Sequence, residues 1–211
     1  SVWQVAGMSA GTGAFITFEG IDGSGKSTQA RLLAGTLGAV LTREPGGSPG
    51  AEVIRRLLVE GDAGRWSAET EILLFTAARR DHVEKTIQPA RERGVVIVSD
   101  RFADSTRVYQ GAARATLRAK VDLLHETMIG LEPDLTFVID MDPAEALRRG
   151  LARDHAEDRF ESLGLAFQEA LRAGFIALAE EFPGRVHLID GNRSIEAIAA
   201  DVAAIASAFL E

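Results

Sequence analysis

A three-layer α/β fold, with a five-stranded parallel sheet between helices, is predicted by three observations on the 211-residue sequence. Five short runs are nearly continuous in apolar residues: AFITFE (14–19), AVLT (39–42), VVIVS (95–99), DLTFVIDM (134–141) and VHLI (186–189). Longer stretches carrying helix signals alternate with them. A glycine-rich stretch, GIDGSGKST (20–28), leaves the first run directly and opens a helix.

The apolar runs read as strands covered on both faces, because a strand with one wet face would alternate polar and apolar residues. The first helix is expected over Lys26–Leu37. Ser67 is placed to cap a long helix, with Glu69 and Glu71 in the first turn, where negative charge is favoured, and Pro89 near its end. Asp142-Pro143-Ala144-Glu145 combines a capping aspartate, a proline at the first helical position and a glutamate at the third. Ser194 is expected to cap the last helix. Strand–helix alternation without repeat or linker argues a single domain over 13–211, its ligands beyond the carboxyl ends of the strands. Residues 1–12 are expected to be a poorly ordered extension, with Met8 as the natural start and Ser1–Gly7 extraneous.

Composition narrows the function. Hydrophobic residues make up 46% and charged residues 26%, enough for a core of ordinary size. A net charge of −8 argues against general affinity for nucleic acid or an anionic membrane, so any anion must be gripped by a local cluster of cations. No cysteine is present, which excludes disulfides, zinc–thiolate sites and thiol nucleophiles, and fits a cytoplasmic setting. No apolar run approaches the roughly 20 residues of a membrane span, and the N-terminus lacks the pattern of a signal peptide.

Residues Gly20 to Ser27 match G-x-x-x-x-G-K-[ST], in the strand–loop–helix context that this phosphate-binding motif requires. Gly20, Ile21, Asp22, Gly23, Ser24, Gly25, Lys26, Ser27 and Thr28 are therefore expected to cradle the phosphates of a nucleoside triphosphate. The glycines let backbone N–H groups turn inward, Lys26 brings a mobile charge, and Ser27 offers a hydroxyl to Mg²⁺. A guanine-nucleotide switch is disfavoured, because the lone asparagine, Asn192, is followed by Arg193 and forms no N-K-x-D. A small kinase remains. Asp22 is an oddity: a carboxylate inside a loop built for anions.

The acceptor side is read from stretches that follow the later strands. Thr42-Arg43-Glu44-Pro45-Gly46-Gly47 follows the second strand, Asp100-Arg101-Phe102 the third, and Ser105-Thr106-Arg107-Val108-Tyr109-Gln110-Gly111 comes just after. Phe75 and Arg79 lie four apart, on one face of the long helix. An aromatic plane, hydrogen-bonding side chains and arginines suit a phosphorylated nucleoside: ring for base, Thr and Gln for the base edge, Arg for phosphate. Each residue has a plainer alternative: Phe75 as core, or Arg101 paired structurally with Asp100 or Glu44.

At these residues the sequence resembles the bacterial thymidylate kinases. FEGIDGSGKSTQ, TREPGGS, LLFTAAR, SDRF, STRVYQG and DRFE carry the resemblance across residues 15–161, and their order is more specific than any one of them. It implies the P-loop kinase fold and the reaction ATP + dTMP → ADP + dTDP with Mg²⁺, in a homodimer. It implies that Phe75 stacks on thymine, that Arg79 bonds a base carbonyl, and that Thr106 and Gln110 read the base edge. Ser105 belongs to the same substrate-binding stretch, and Tyr109 crowds the 2′ position of the sugar. Arg101 holds the acceptor phosphate, helped by Arg43, and Pro45 shapes the wall beside it. Asp100 orients Arg101 or a water on Mg²⁺, and Asp22 faces the sugar hydroxyl or such a water. The plainer reading of Asp22 is a carboxylate that braces the loop's own N–H groups. Family members supply a catalytic arginine from the phosphate loop or from a lid. Residues 21–24 hold no arginine, so the resemblance assigns it to a lid over about 148–161: Arg153 and Arg159 first, Arg149 less so, with Glu161 bracing. Two other readings stand beside this one: a kinase of the same architecture acting on another nucleotide or nucleoside, and a nucleotide-dependent binding protein without a transfer reaction.

Overall fold

Strand β1 (Phe15–Glu19) lies at the centre of one sheet, flanked by β3 (Ile97–Asp100) and β4 (Leu135–Asp140), with β2 (Val40–Arg43) and β5 (Val186–Asp190) at the edges. All pairings are parallel. These features come from a computed structural model that describes residues 11–61, 64–113, 115–151 and 164–211. The expected extension therefore lies mostly outside the described residues, as do Arg153, Arg159 and Glu161 of the expected lid.

Helices cover both faces, and the continuous apolar runs explain why. Ile16 and Phe18 point to one side, where they pack on Ala30 and Leu33 of α1 (Lys26–Leu37) and on Ile198 and Val202 of α9 (Ile195–Leu210). Phe15 and Ile97 point to the other side, against Ile87 and Phe102. Val138 and Ile21 meet Leu171 and Phe175 of α8 (Leu165–Glu181). The remaining helices are α2 (Pro49–Val59), α3 (Ala68–His82), α4 (Gln88–Glu92), α5 (Ala103–Ala113), α6 (Ala115–Leu124) and α7 (Pro143–Leu151). The sequence analysis singled out none of α2, α5, α6 and α8, although α2 opens with Ser48 at its N-cap and Pro49 in its first turn. No helix among the described residues is long and apolar enough to cross a membrane.

The expected caps are present. Ser67 Oγ accepts from Thr70 N at 3.2 Å, Asp142 Oδ1 from Glu145 N at 3.0 Å, and Ser194 Oγ from Ala197 N at 3.2 Å. Pro89 lies near the end of the long winding, which closes at Glu92. A wide turn at Val83–Ile87 carries the winding on into α4, where the proline occupies the first turn and its missing N–H costs nothing.

Topology places the site. From β1 the chain crosses to the sheet edge, returns through β3, and passes β1 again to β4, so the order reverses between β1 and β3. The register sets Phe18 beside Asp100 and Arg43 beside Asp100 from the other flank. Arg101 N then donates to Phe18 O, and Glu44 N to Asp100 O, each at 2.9 Å. Three loops thus leave the sheet side by side at its carboxyl edge, the crevice where open α/β sheets bind ligands.

Candidate active site

The first loop, residues 20–25, needs glycine where its backbone turns to positive φ. Gly20 has φ 138° and Gly23 φ 82°, and a Cβ on Gly23 would stand 2.0 Å from Ala146 O of α7. The loop is therefore pressed between β1 and α7, and it delivers the chain to the N-terminus of α1, where N–H groups and the helix dipole favour anions. Lys26, 6% exposed, lies over the loop and donates to Asp22 Oδ1 at 3.1 Å and Ile21 O at 3.4 Å. Ser24 Oγ is buried without a partner among the described residues. Thr28 Oγ1 accepts from Arg31 at 3.5 Å.

Beside this loop lies a pocket. Asp22, Pro45, Phe75, Arg79, Arg101, Ser105, Thr106, Tyr109 and Gln110 line it together, although they come from residues 22 to 110 of the chain. Half-buried Phe75 and Arg79 stand one turn apart on α3. Arg79 is locked in place: Nε donates to Glu44 Oε2 at 2.7 Å, and Nη2 to Thr106 Oγ1 at 2.9 Å and Phe102 O at 3.2 Å. His82 Nδ1 lies 3.0 Å from the other oxygen of Glu44, and its Nε2 2.7 Å from Thr42 Oγ1.

Arg101 has φ 72°, a left-handed backbone at a residue that is not glycine. That turn swings its guanidinium toward the first loop. There it pairs with Asp22 rather than with Asp100 or Glu44, and Nη1 donates to Ser105 Oγ at 2.9 Å. Tyr109 OH donates to Asp22 Oδ2 at 3.1 Å, and the Arg101 guanidinium lies 5.3 Å from the Tyr109 ring centre. Asp22 thus bonds Lys26, Arg101 and Tyr109 rather than the loop's N–H groups.

Arg43 is not in this pocket. It lines a neighbouring open groove with Ser27 and Asp100, and its Nη2 pairs with Glu52 at 3.2 Å, with the side chain 47% exposed. The two expected metal-side residues therefore share one groove, and Asp100 Oδ1 is a buried acceptor without a partner among the described residues. An oxygen-only pair of this kind fits Mg²⁺, which takes one or two protein oxygens and completes its shell with phosphates and water. No group of three His, Cys, Asp or Glu able to hold a metal unaided occurs among the described residues. Arg149 is drawn to Glu145 at 2.8 Å, as is Arg148.

Three buried carboxyl groups beneath the site were not singled out by the sequence: Glu19, Glu44 and Glu71. Glu44 is pushed up by burial, but Arg79 and His82 outweigh this and hold it below the usual range. Asp22 behaves alike: burial opposes its charge, while Arg101 and Lys26 keep it ionised well below the ordinary carboxylate range. Glu19, 0% exposed, goes the other way, to about 7, because of burial first and Asp104 second. Its Oε1 accepts from Phe102 N at 2.8 Å and its Oε2 from Ser105 Oγ at 2.6 Å, which anchors the turn that carries Arg101. The telling signal was a glutamate ending a strand buried on both faces.

The raised Glu19 value has a signed consequence. Between pH 4.5 and about 7 the folded chain holds a proton that the unfolded chain has released, so this group lowers stability as pH rises through that window. The full gap is worth at most about 3 kcal/mol. Glu19→Gln, which cannot ionise, is expected to gain stability relative to the native chain between pH 5 and pH 8, read from urea midpoints. A difference that stays constant across pH would contradict the assignment.

Comparison with known proteins follows the same lines. The thymidylate kinase family model matches residues 18–202. A thymidylate kinase of Dinoroseobacter shibae is 68% identical over 197 residues, covering 91% of this chain and 95% of that protein. One of Ruegeria pomeroyi is 64% identical over 200 residues, covering 92% and 95%. The crystal structure of a thymidylate kinase from Ehrlichia chaffeensis superposes with a TM-score of 0.75 at 35% identity, covering 93% of this chain and 99% of that one. A phosphate loop at the head of β1, an arginine-lined pocket across the crevice, and matches along nearly the whole chain lead to one conclusion: this chain belongs to the thymidylate kinase family.

Proposed function

We infer that the chain transfers the γ-phosphoryl group of ATP to dTMP, giving ADP and dTDP. One observation carries the reading: Asp22 pairs at once with Lys26 of the phosphate loop and Arg101 of the pocket, so donor and acceptor sites meet at one carboxylate. In this reading Lys26 meets the donor phosphates and Arg101 the acceptor phosphate. Asp22, held ionised, keeps the two cations in register and accepts from Tyr109 close to the sugar. Phe75 stacks on the base, and Arg79, Thr106 and Gln110 face its edge. The acceptor phosphate is already an oxyanion, so the residues align and neutralise rather than abstract a proton. Ser27, with water beside Asp100, would hold Mg²⁺, which would neutralise charge on the phosphates when bound. A cysteine-free chain suits the reducing cytoplasm, which cell fractionation tests.

A coupled assay across dTMP, dUMP, CMP, UMP, GMP and AMP is expected to show turnover dominated by dTMP. A dominant response to any other acceptor would overturn the reading. A binding protein without transfer would show thermal stabilisation by dTMP and no ADP release.

Arg153 and Arg159 are proposed as the arginines that meet the transferring phosphoryl, on the family resemblance and on the arginine-free loop 21–24. Arg153→Ala or Arg159→Ala is expected to lower kcat by a factor on the order of 10³, with dTMP binding little changed. Native turnover in both variants would exclude the assignment.

A homodimer is proposed on the exposed apolar side chains of neighbouring helices: Leu73 on α3 is 58% exposed, Leu123 on α6 60%, and Leu57 on α2 37%. Light scattering is expected to give twice the chain mass, and Leu73→Asp with Leu123→Asp to give monomer.

A further inference from the structure

We propose that Glu71 sets the base selectivity of the pocket by fixing the amide of Gln110, an inference that rests on the dTMP reading above. The two side chains come from different helices, Glu71 from α3 and Gln110 from α5. Both are buried, at 7% and 2% exposure. Gln110 Nε2 donates to Glu71 Oε2 at 3.2 Å. The carboxylate oxygen of Glu71 accepts here, whereas the two ends of an amide are a donor and an acceptor of nearly equal size. Glu71 therefore draws the NH₂ end to itself and turns the oxygen the opposite way. That oxygen, Gln110 Oε1, is buried and has no donor among the described residues.

A buried acceptor without a partner is costly, and it is relieved by a ligand that brings an N–H to it. Gln110 lines the pocket beside Phe75, Arg79 and Thr106. Arg79 can only donate. The wall thus presents an acceptor next to a donor. A base edge with N–H beside C=O answers it, as N3–H and C4=O do in thymine and uracil. Cytosine presents the reverse, a bare N3 beside an amino group, and meets like against like at both points. A glutamine free to turn its amide over would offer NH₂ to the cytosine N3 and remove half of that mismatch. Glu71 takes away this freedom, which is a penalty set against the wrong partner rather than a new attraction for the right one. Glu71 is on this account a positioning residue; it acts through Gln110.

The test compares kcat and KM for dTMP and dCMP in the native chain, Glu71→Gln, Gln110→Leu and the double variant, with thermal midpoints recorded for each. Glu71→Gln is close in shape and can donate or accept, so the amide is released. Its KM for dTMP is expected to rise with kcat changed less than threefold, and its dTMP-to-dCMP ratio of kcat/KM to fall about tenfold or more. Gln110→Leu is expected to lose the same selectivity, and the double variant no more than Gln110→Leu alone, since the two residues act as one unit. An unchanged ratio in Glu71→Gln, a parallel fall in kcat for both nucleotides, or additive losses in the double variant would overturn the proposal. Should Glu71→Gln not fold, the proposal stands or falls on Gln110→Leu, where retained selectivity overturns it. A native chain that does not turn over dTMP would remove the underlying reading instead.

Discussion

Everything about this site depends on one carboxylate placed between two cations. Asp22 lies in the phosphate loop, where a negative charge opposes the loop's purpose, yet it pairs with Lys26 on one side and Arg101 on the other. The pairs make the charge tolerable in a buried setting, since an unpaired carboxylate there would be neutralised or expelled. They also link loops that leave neighbouring strands of the sheet. Removing the carboxylate would leave two buried cations close together with nothing to hold them apart from each other's field.

The same logic is repeated below the pocket. Polar groups expected to face the substrate are each held by a neighbouring side chain. Glu44 holds Arg79, Ser105 holds Arg101 and is itself held by Glu19, and Glu71 holds Gln110. Such backing fixes donors and acceptors before a ligand arrives, which lowers the ordering cost of binding. Buried carboxylates suit the task because they accept in several directions and their loss of hydration is compensated by the cations they hold.

Much of this was legible in the sequence. Runs such as AFITFE could only be strands covered on both faces, and the glycine–lysine–serine spacing marked the phosphate loop. Phe75 and Arg79 announced a shared helix face by their spacing, and Arg79 does point into the pocket. The supporting carboxylates were less legible because their sequence context suggested something simpler. Glu71 looked like a first-turn charge that favours the helix dipole; its burial depends on α5, whose position no local pattern reveals. Glu44 and His82 are 38 residues apart, one just after β2 and the other at the end of α3, and only tertiary packing brings them together. Arg43 was expected to help Arg101 at the acceptor phosphate, but successive residues of an extended chain leave on opposite faces, and it emerges in the next groove with Glu52. Pro89 marked the approach to the helix end, but nothing in the local chemistry shows the wide turn that precedes it.

The backbone at Arg101 carries a further implication. Its φ of 72° is a conformation that glycine adopts freely and that a side-chain-bearing residue occupies at a cost of about 1–3 kcal/mol. Glycine would release that tension but has no guanidinium to offer, so no amino acid satisfies both demands at this position. Natural selection here faces a standing compromise: the molecule tolerates a weak point in its architecture at the very residue that reaches across the crevice, and the hydrogen bonds that surround the turn, accepted by Phe18 O and Glu19 and donated by Ser99 Oγ, are the scaffold that makes the compromise survivable.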